Sequence, residues 1–137
     1  MPTIINVGVD DRLHIEFNLT KNSYHTKEWV EGTVTFHTVR LPVKAMELSV
    51  IRKETLGTPD SSSSHSKVLE TFQVMDGCPE QGSVIPFRMS LRGVKGLAPS
   101  YKSIHNRLFV RHWLNLVIFD EDNRRYFKQA EVTFYRN

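Results

Sequence analysis

The sequence has little of what disulfide-bonded, metal-binding and membrane-spanning proteins need. Cys78 is the only cysteine among 137 residues, so the chain can form neither an internal disulfide nor a cysteine-based zinc site. No apolar run approaches the length of a membrane-spanning helix, and residues 1–11 lack the basic start and apolar stretch of a signal peptide. We therefore expect a protein of a reducing compartment, the cytoplasm.

Catalytic motifs are also missing: there is no glycine-rich phosphate loop, no nucleophile-elbow serine and no motif that pairs two carboxylates. Cys78 has no histidine at a recognised spacing, so it is interpreted as an inert turn residue. His14 and Glu16 share a strand face and could supply two metal ligands, but a polar surface is the preferred interpretation. His112 falls on an apolar strand face and is interpreted as a core histidine with a hydrogen-bond partner. The residues favour a non-enzymatic protein that needs no cofactor, metal or small-molecule substrate.

The charges are nearly balanced and interleaved, with 18 Lys and Arg against 15 Asp and Glu and a net charge of +3. This mild excess favours acidic partners or an anionic membrane surface but does not require nucleic acid. Phe109, Arg111 and Trp113 alternate on one strand face, and Tyr126 and Phe127 follow two arginines. A single-stranded nucleic-acid stacking surface is therefore an alternative hypothesis, although a core or protein interface is preferred.

Apolar and polar residues alternate along most of the chain, for example from Val30 to Phe36 and from Leu108 to Ile118. A period of two predicts half-buried antiparallel strands, and no sustained helical stripe is present. The fold prediction is an all-β, arrestin-like or immunoglobulin-type antiparallel β-sandwich with about eight strands. These strands are expected near residues 4–9, 13–19, 29–39, 43–54, 66–75, 83–91, 107–119 and 125–135.

Two segments between strands carry further expectations. Leu56–Ser66 contains Gly57, Pro59 and the serine run Ser61–Ser64, and it is predicted to be a mobile, solvated loop. Val74 and Met75 end a strand just before a tight turn at Asp76–Pro79. Alternation would point one of this pair outward as an apolar docking residue, although composition alone favours both in the core.

Several short sequences occur in an order and spacing that resemble the vacuolar protein sorting-associated protein 26 family, the arrestin-like subunit of retromer. The resemblance runs from Ile4 to Arg136 and is strongest in its last six-residue run. The matching segments are Leu13–Phe17, Tyr24–His25, Ile51–Thr55, Met75–Gly77, Ile85–Pro86, Val110–Arg111, Leu114–Val117 and Arg124–Gln129.

The resemblance implies a particular domain and role. It covers the C-terminal of the family's two tandem sandwiches, so residues 1–137 are expected to form that domain, with the N-terminal sandwich absent from the chain. It also implies a non-enzymatic scaffold for retrograde endosome-to-Golgi transport. Such a subunit would act at the cytosolic face of endosomes and associate with the membrane peripherally, through its complex.

The resemblance assigns the main partner site to an apolar pair before an Asp-Gly sequence. This pair would bind the N-terminal end of the large α-solenoid subunit of retromer. Here the positions are Val74, Met75, Asp76 and Gly77, and Val74 replaces the isoleucine that the family usually has.

A second family surface corresponds to Leu108, Phe109 and Val110, where a sorting nexin and a cargo-receptor cytoplasmic tail would meet. If this strand segment lies at a sheet edge, it could accept an extended peptide by backbone pairing. The family often has phenylalanine where this chain has Leu108. A retriever-type adaptor or an α-arrestin remains an alternative within trafficking, and nucleic-acid binding remains the alternative of another class.

Overall fold

The computed structural model describes residues 3–58, 61–76, 80–103 and 108–136, and among these it contains ten β-strands and no helix. The all-β prediction is therefore confirmed. The strands are β1 (Thr3–Val9), β2 (Leu13–Leu19), β3 (Ser23–His25), β4 (Trp29–Val39), β5 (Val43–Thr58), β6 (Ser61–Asp76), β7 (Val84–Ser90), β8 (Tyr101–Ser103), β9 (Leu108–Asp120) and β10 (Arg125–Tyr135).

The strands form two sheets that share one hydrophobic core. The smaller sheet has the order β1-β2-β4-β7, and the larger has the order β3-β10-β9-β5-β6 with β8 beside β9. Neighbouring strands are antiparallel except for β3, which pairs with β10 in parallel. Alternation places one face of each sheet inside: Leu13, Ile15 and Phe17 of β2 and Leu114 and Leu116 of β9 are fully buried.

All eight predicted strands are present, but the two three-residue strands β3 and β8 were missed. Strand β3 is held by Tyr24, which is fully buried and whose hydroxyl donates a 2.7 Å hydrogen bond to the carbonyl of Lys21. Strand β8 pairs with residues 108–110 of β9, just beyond the point where the pairing of β10 with β9 ends. Both depend on tertiary contacts, because segments this short have no sequence periodicity.

The prediction of a mobile serine loop is wrong. Strands β5 and β6 continue through this region and stay in register to Thr58 opposite Ser61. The hydroxyls of Thr55 and Ser64 lie 3.2 Å apart across the two strands. Strand β5 also pairs with β9 as far as Leu56, so backbone hydrogen bonds hold β5 on both of its edges. This pairing makes the segment extended, although its serine-rich composition is typical of a loop.

Strand β6 is the last strand of the larger sheet and has two distinct parts. We call residues 61–68 the outer half of β6 and residues 69–76 the inner half of β6. The outer half pairs with β5 in regular register, whereas the inner half contains β-bulges at Leu69 and Val74, each of which has no residue opposite it on β5. Strand β7 is the last strand of the smaller sheet, so each sheet ends in a strand with one unpaired edge among the described residues.

The turn between β9 and β10 is closed by Asp120. The buried Asp120 carboxylate accepts hydrogen bonds from the backbone N–H groups of Asp122 and Arg124 and from the hydroxyl of Tyr126. Burial alone would raise the pKa of Asp120, but these hydrogen bonds outweigh it and hold the pKa below its usual value. Asn123 takes the left-handed conformation, with a φ of 61°.

Candidate protein-interaction surfaces

Val74 and Met75 lie in the inner half of β6, and both are half-buried against the core. Met75 stands opposite the fully buried Met46, and Val74 is the extra residue of the bulge between Met75 and Gln73. The bulge interrupts strict alternation, so the expectation that one residue of the pair points fully outward does not apply. The pair is instead at the rim of the core, partly accessible and partly packed.

The rest of the predicted solenoid site is only partly within the described residues. The backbone of Asp76 pairs with Ala45 and ends β6, but its side chain lies outside the described residues. Gly77, Pro79 and Cys78, which is interpreted from the sequence as an inert turn residue, lie outside them entirely. The assignment of Val74, Met75, Asp76 and Gly77 to a partner site stays a prediction.

Val74 lines a groove of about 410 Å³ between the facing edge strands β6 and β7. Its walls include Phe72 from β6, Phe87 from β7 and Trp29 from the start of β4. The Trp29 side chain is 47% exposed, and the guanidinium of Arg88 lies 4.5 Å from its ring centroid. An apolar groove with an aromatic wall can receive a large apolar side chain from another protein.

The position of the Phe87 ring in this groove depends on the missing side chain of Gly32 in β4, which stands opposite Phe87. A Cβ atom at Gly32 would lie 2.0 Å from the carbonyl oxygen of Asn18 and 2.7 Å from Cε1 of Phe87. The absence of a side chain lets Phe87 pack on Phe17, with their ring centroids 4.4 Å apart. Sequence reasoning missed Trp29 and Phe87 because they belong to the other sheet, and no single strand's pattern shows which strands of the two sheets face each other.

The second predicted surface, Leu108, Phe109 and Val110, is half-buried and is not at a sheet edge. Leu108 and Val110 each have a residue of β5 on one side and a residue of β8 on the other. Backbone pairing of an added peptide with this segment is therefore excluded, because both of its edges are already paired. Phe109 and Val110 do line an open cavity of about 490 Å³ with Tyr101 and Arg111.

Comparison with known proteins decides the family. The model of the family described as vacuolar protein sorting-associated protein 26, or Vps26, matches residues 2–123. The chain belongs to the Vps26 family. It is 46% identical to the vacuolar protein sorting-associated protein 26 of Schizosaccharomyces pombe over 132 residues, which are 96% of this chain and 44% of that protein. It is 41% identical to human vacuolar protein sorting-associated protein 26B over 96% of this chain and 39% of that protein.

This Vps26-family chain thus spans less than half the length of these curated relatives. Among solved structures, the sporulation control protein Spo0M of Bacillus subtilis superimposes with a TM-score of 0.68 at 14% identity. The match covers 90% of this chain and 49% of that chain, and it supports the fold alone. The arrestin-like β-sandwich is therefore established, whereas the assignment to the C-terminal domain stays a prediction.

The strip considered for nucleic-acid stacking is largely engaged within the Vps26-family chain itself. Arg111 forms a bidentate ion pair with Glu131, with nitrogen–oxygen distances of 2.7–2.8 Å, and its guanidinium lies 5.3 Å from the ring centroid of Trp113. Tyr126 is half-buried and bonded to Asp120. Phe127, on the opposite face of β10, is 66% exposed. One exposed ring does not make a stacking platform.

His112 is a core residue, as predicted. It is fully buried, its Nδ1 lies 2.8 Å from the hydroxyl of Ser100, and its ring packs edge-on against Phe134. Burial, with a smaller contribution from the nearby charge of Arg52, lowers the pKa of His112 to about 4. A neutral buried histidine of this kind belongs to the packing of the sandwich.

His14 and Glu16 lie on the outer face of the smaller sheet, as expected for a polar surface. The Nε2 atom of His14 lies 3.0 Å from the side-chain oxygen of Asn6, and the His14 ring stacks on that of His37. Across residues 3–58, 61–76, 80–103 and 108–136, no group of three or more His, Cys, Asp or Glu residues is arranged to hold a metal ion. In the same ranges, no helix is long and apolar enough to cross a membrane.

Proposed function

We propose that the chain is a non-enzymatic adaptor domain in vacuolar and endosomal protein sorting. Its main task would be to bind the N-terminal end of the large α-solenoid subunit of a retromer-type complex. The proposal rests on membership of the Vps26 family and on one structural observation: Val74 and Met75 are half-buried at the rim of the core, and Val74 lines the groove between the edge strands β6 and β7. The complex would hold the domain at the cytosolic face of endosomes, where membrane association is peripheral.

The physical basis of this binding is apolar burial at the rim of a rigid sandwich. Burying the exposed parts of Val74 and Met75 against the partner would contribute up to about 1.5–3 kcal/mol for each side chain, before association costs. Because the core and the β5 ladder already hold the backbone here, little ordering is needed on binding. Trp29 would line the same contact and exclude water from the groove.

The proposal is tested with Met75→Asp, alone and with Val74→Asp, by calorimetric titration against the N-terminal part of the large solenoid subunit. We expect affinity to fall at least about a hundredfold, since an unpaired carboxylate would be buried at the contact. Val68→Asp is the matched control, because Val68 is on the same strand but 55% exposed and distant from the groove. Circular dichroism would check that all variants remain folded.

Unchanged affinity for a folded Met75→Asp variant would overturn the site assignment. If Met75→Asp does not fold, Met75→Gln provides a milder test, which keeps the length of the side chain but adds an amide that would be desolvated on binding. The choice of solenoid decides between trafficking complexes: co-purification of the retriever-type large subunit in place of the retromer subunit would favour that alternative. Membership of the Vps26 family argues against an α-arrestin.

We also propose that a sorting nexin and a cargo tail contact the side chains around Leu108, Phe109 and Val110. The support is the open cavity lined by Phe109, Val110 and Tyr101, together with the family resemblance. Contact would be through side chains, since β5 and β8 occupy both backbone edges. Val110→Asp should weaken binding of the sorting nexin without affecting the solenoid, and equal loss of both would contradict two separate surfaces.

A further inference from the structure

We propose that the outer half of β6 binds an extended acidic peptide, which adds a strand to the free edge of the larger sheet. This site is separate from the solenoid site in the inner half of the same strand. Two features carry the proposal: a backbone edge with little protection, and an apolar floor near that edge with two unpaired lysines, Lys53 and Lys67, around it. Neither feature depends on the proposed function.

The free edge of the outer half of β6 lacks most of the usual protection against strand addition. The register from Ile51 opposite Val68 to Thr58 opposite Ser61 contains no bulge, residues 61–68 include no proline, and residues 63–68 are all exposed. Natural edge strands are normally protected by prolines, by bulges or by charged side chains, especially lysine, and of these protections residues 61–68 have the charge of Lys67. A flat unpaired edge is a template for a further strand.

Strand β7, the comparable edge of the smaller sheet, shows what protection looks like. The backbone N–H of Leu91 donates to the carbonyl of Glu28, and the carbonyl of Ser83 accepts from the backbone N–H of Phe36. These two bonds show that the odd-numbered residues of β7 direct their backbone N–H and carbonyl groups toward β4. By alternation, the backbone of Pro86 faces the free edge, where it offers no N–H group. The free edges of β6 and β7 therefore differ in their capacity to accept a strand.

A side-chain site lies beside the outer half of β6 on the outer face of the larger sheet. Trp113 of β9, Ile51 of β5 and Val68 of β6 stand in one row across three strands. They form the floor of an open cavity of about 380 Å³, which Lys53 and Lys67 also line. A peptide strand paired with β6 would run along the open side of this row and could place an apolar side chain against Val68.

The charge at this cavity selects an acidic occupant. Within the part of the chain that the structure describes, neither Lys53 nor Lys67 has an ion-pair partner. Arg111, the next cation on this face, is already neutralised by Glu131. A glutamate on the same face of the peptide strand as the apolar position would therefore meet Lys53, and a glutamate on the other face would meet Lys67, which alternates with Val68 along β6. An apolar side chain opposite Val68 would meet the floor.

The test uses a short blocked peptide with one valine flanked on each side by two glutamates, so that both faces of the added strand carry a carboxylate near the apolar position. The Trp29→Phe chain is titrated with this peptide, so that Trp113 is the one remaining indole and its fluorescence reports on the floor. Hydrogen exchange is measured in parallel. We expect saturable binding, with every second amide of residues 62–68 gaining protection as it becomes paired.

Two controls separate backbone pairing from charge. The same peptide with N-methyl groups along one backbone edge should lose most of its affinity. Lys53→Glu with Lys67→Glu should weaken binding at least about tenfold, equivalent to about 1.4 kcal/mol, whereas Lys27→Glu, on an exposed turn, should leave it unchanged. Met75→Asp should bind the peptide normally, which distinguishes failure here from failure of the solenoid site.

Three results would overturn the proposal. These are equal affinity for a peptide with lysine in place of glutamate, equal affinity for the N-methylated peptide, or no protection of residues 62–68 at saturating peptide. Vesicles containing phosphatidylserine are included as a further arm. If they change Trp113 fluorescence and the acidic peptide does not, the surface binds anionic membrane and the peptide proposal is wrong.

Discussion

The two halves of β6 belong to one strand and share one partner strand, yet they are built on different physical principles. The inner half carries Phe72, Val74 and Met75, which pack against the core, and it is bent by bulges. The outer half carries exposed serines and is fixed by its backbone ladder. The inner half therefore presents side chains to a partner, whereas the outer half presents a backbone edge.

The largest expected effect is on the groove beside the inner half of β6. Gly32→Ala would place a Cβ atom 2.0 Å from the carbonyl oxygen of Asn18 and 2.7 Å from Phe87. Displacing β7 and the wall of the groove should cost about 3 kcal/mol or more in free energy of unfolding, measured by urea denaturation. At Gly93 a Cβ atom has nothing within 4 Å, so Gly93→Ala should change stability by no more than about 0.5 kcal/mol. Similar losses for both would contradict the close packing at Gly32.

The second effect is the dependence of stability on pH that the buried His112 should cause. The pKa of His112 is lowered from 6.5 to about 4 in the folded protein, so the unfolded chain takes up a proton first as pH falls. The free energy of unfolding is therefore unaffected by this group above pH 6.5, falls as the pH is lowered from 6.5 to about 4, and does not change further with this group below that pH. The loss should reach about 3 kcal/mol.

Urea denaturation at a series of pH values measures this loss. His112→Leu should flatten the dependence between pH 6.5 and 4, because the titrating group is gone. The lowered pKa of Asp120 predicts a separate loss of stability at lower pH, as its carboxylate becomes protonated, and this loss should remain in the His112→Leu variant. An unchanged slope in that variant would assign the acid sensitivity to other groups.

A third, smaller effect compares two valines on the same strand. Val74→Ala removes methyl groups that are half-buried against the core and should cost about 1 kcal/mol. Val68→Ala acts at a side chain that is 55% exposed and should cost no more than about 0.3 kcal/mol. Thermal unfolding of the two variants side by side gives the difference. Equal costs would mean that the two halves are equally packed.

The smallest effect concerns the pairing between β5 and the outer half of β6. The hydroxyls of Thr55 and Ser64 lie 3.2 Å apart across the hairpin, where both residues are accessible to water. Thr55→Ala should therefore change global stability by no more than about 0.5 kcal/mol, while it increases hydrogen exchange locally near the hairpin end. A global loss well above this would show that the outer half of β6 contributes to the cooperative core.

Much of the fold could be predicted because alternation is a local property. The buried series on β2 and the series from His112 to Ile118 on β9 are visible in the sequence and recur in the structure. The outer half of β6 was missed because serine is typical of loops, and the pairing that makes it a strand comes from β5. The bulge at Val74 was missed because it is a property of register between two strands.

The interaction surfaces were less predictable than the fold. The resemblance pointed to Val74 and Met75, but the neighbouring Trp29 and Phe87 come from strands β4 and β7 of the other sheet. The segment Leu108–Val110 was considered as a possible edge, and it is a paired central segment. Which strand lies at an edge depends on sheet order, and sheet order is not encoded in the period of any one strand.

The sequence by itself determined that this chain is an all-β protein, which face of its longer alternating strands is buried, and that it belongs with Vps26 proteins. These follow from periodicity and residue identity, which are readable one segment at a time. Tertiary structure alone decided the order of the strands, the two bulges in β6, the groove beside Val74 and the two unequal edges of the sandwich. Each of these is a relation between two or more strands and not a property of one segment, so it exists only when their backbones are paired and their apolar faces are packed together.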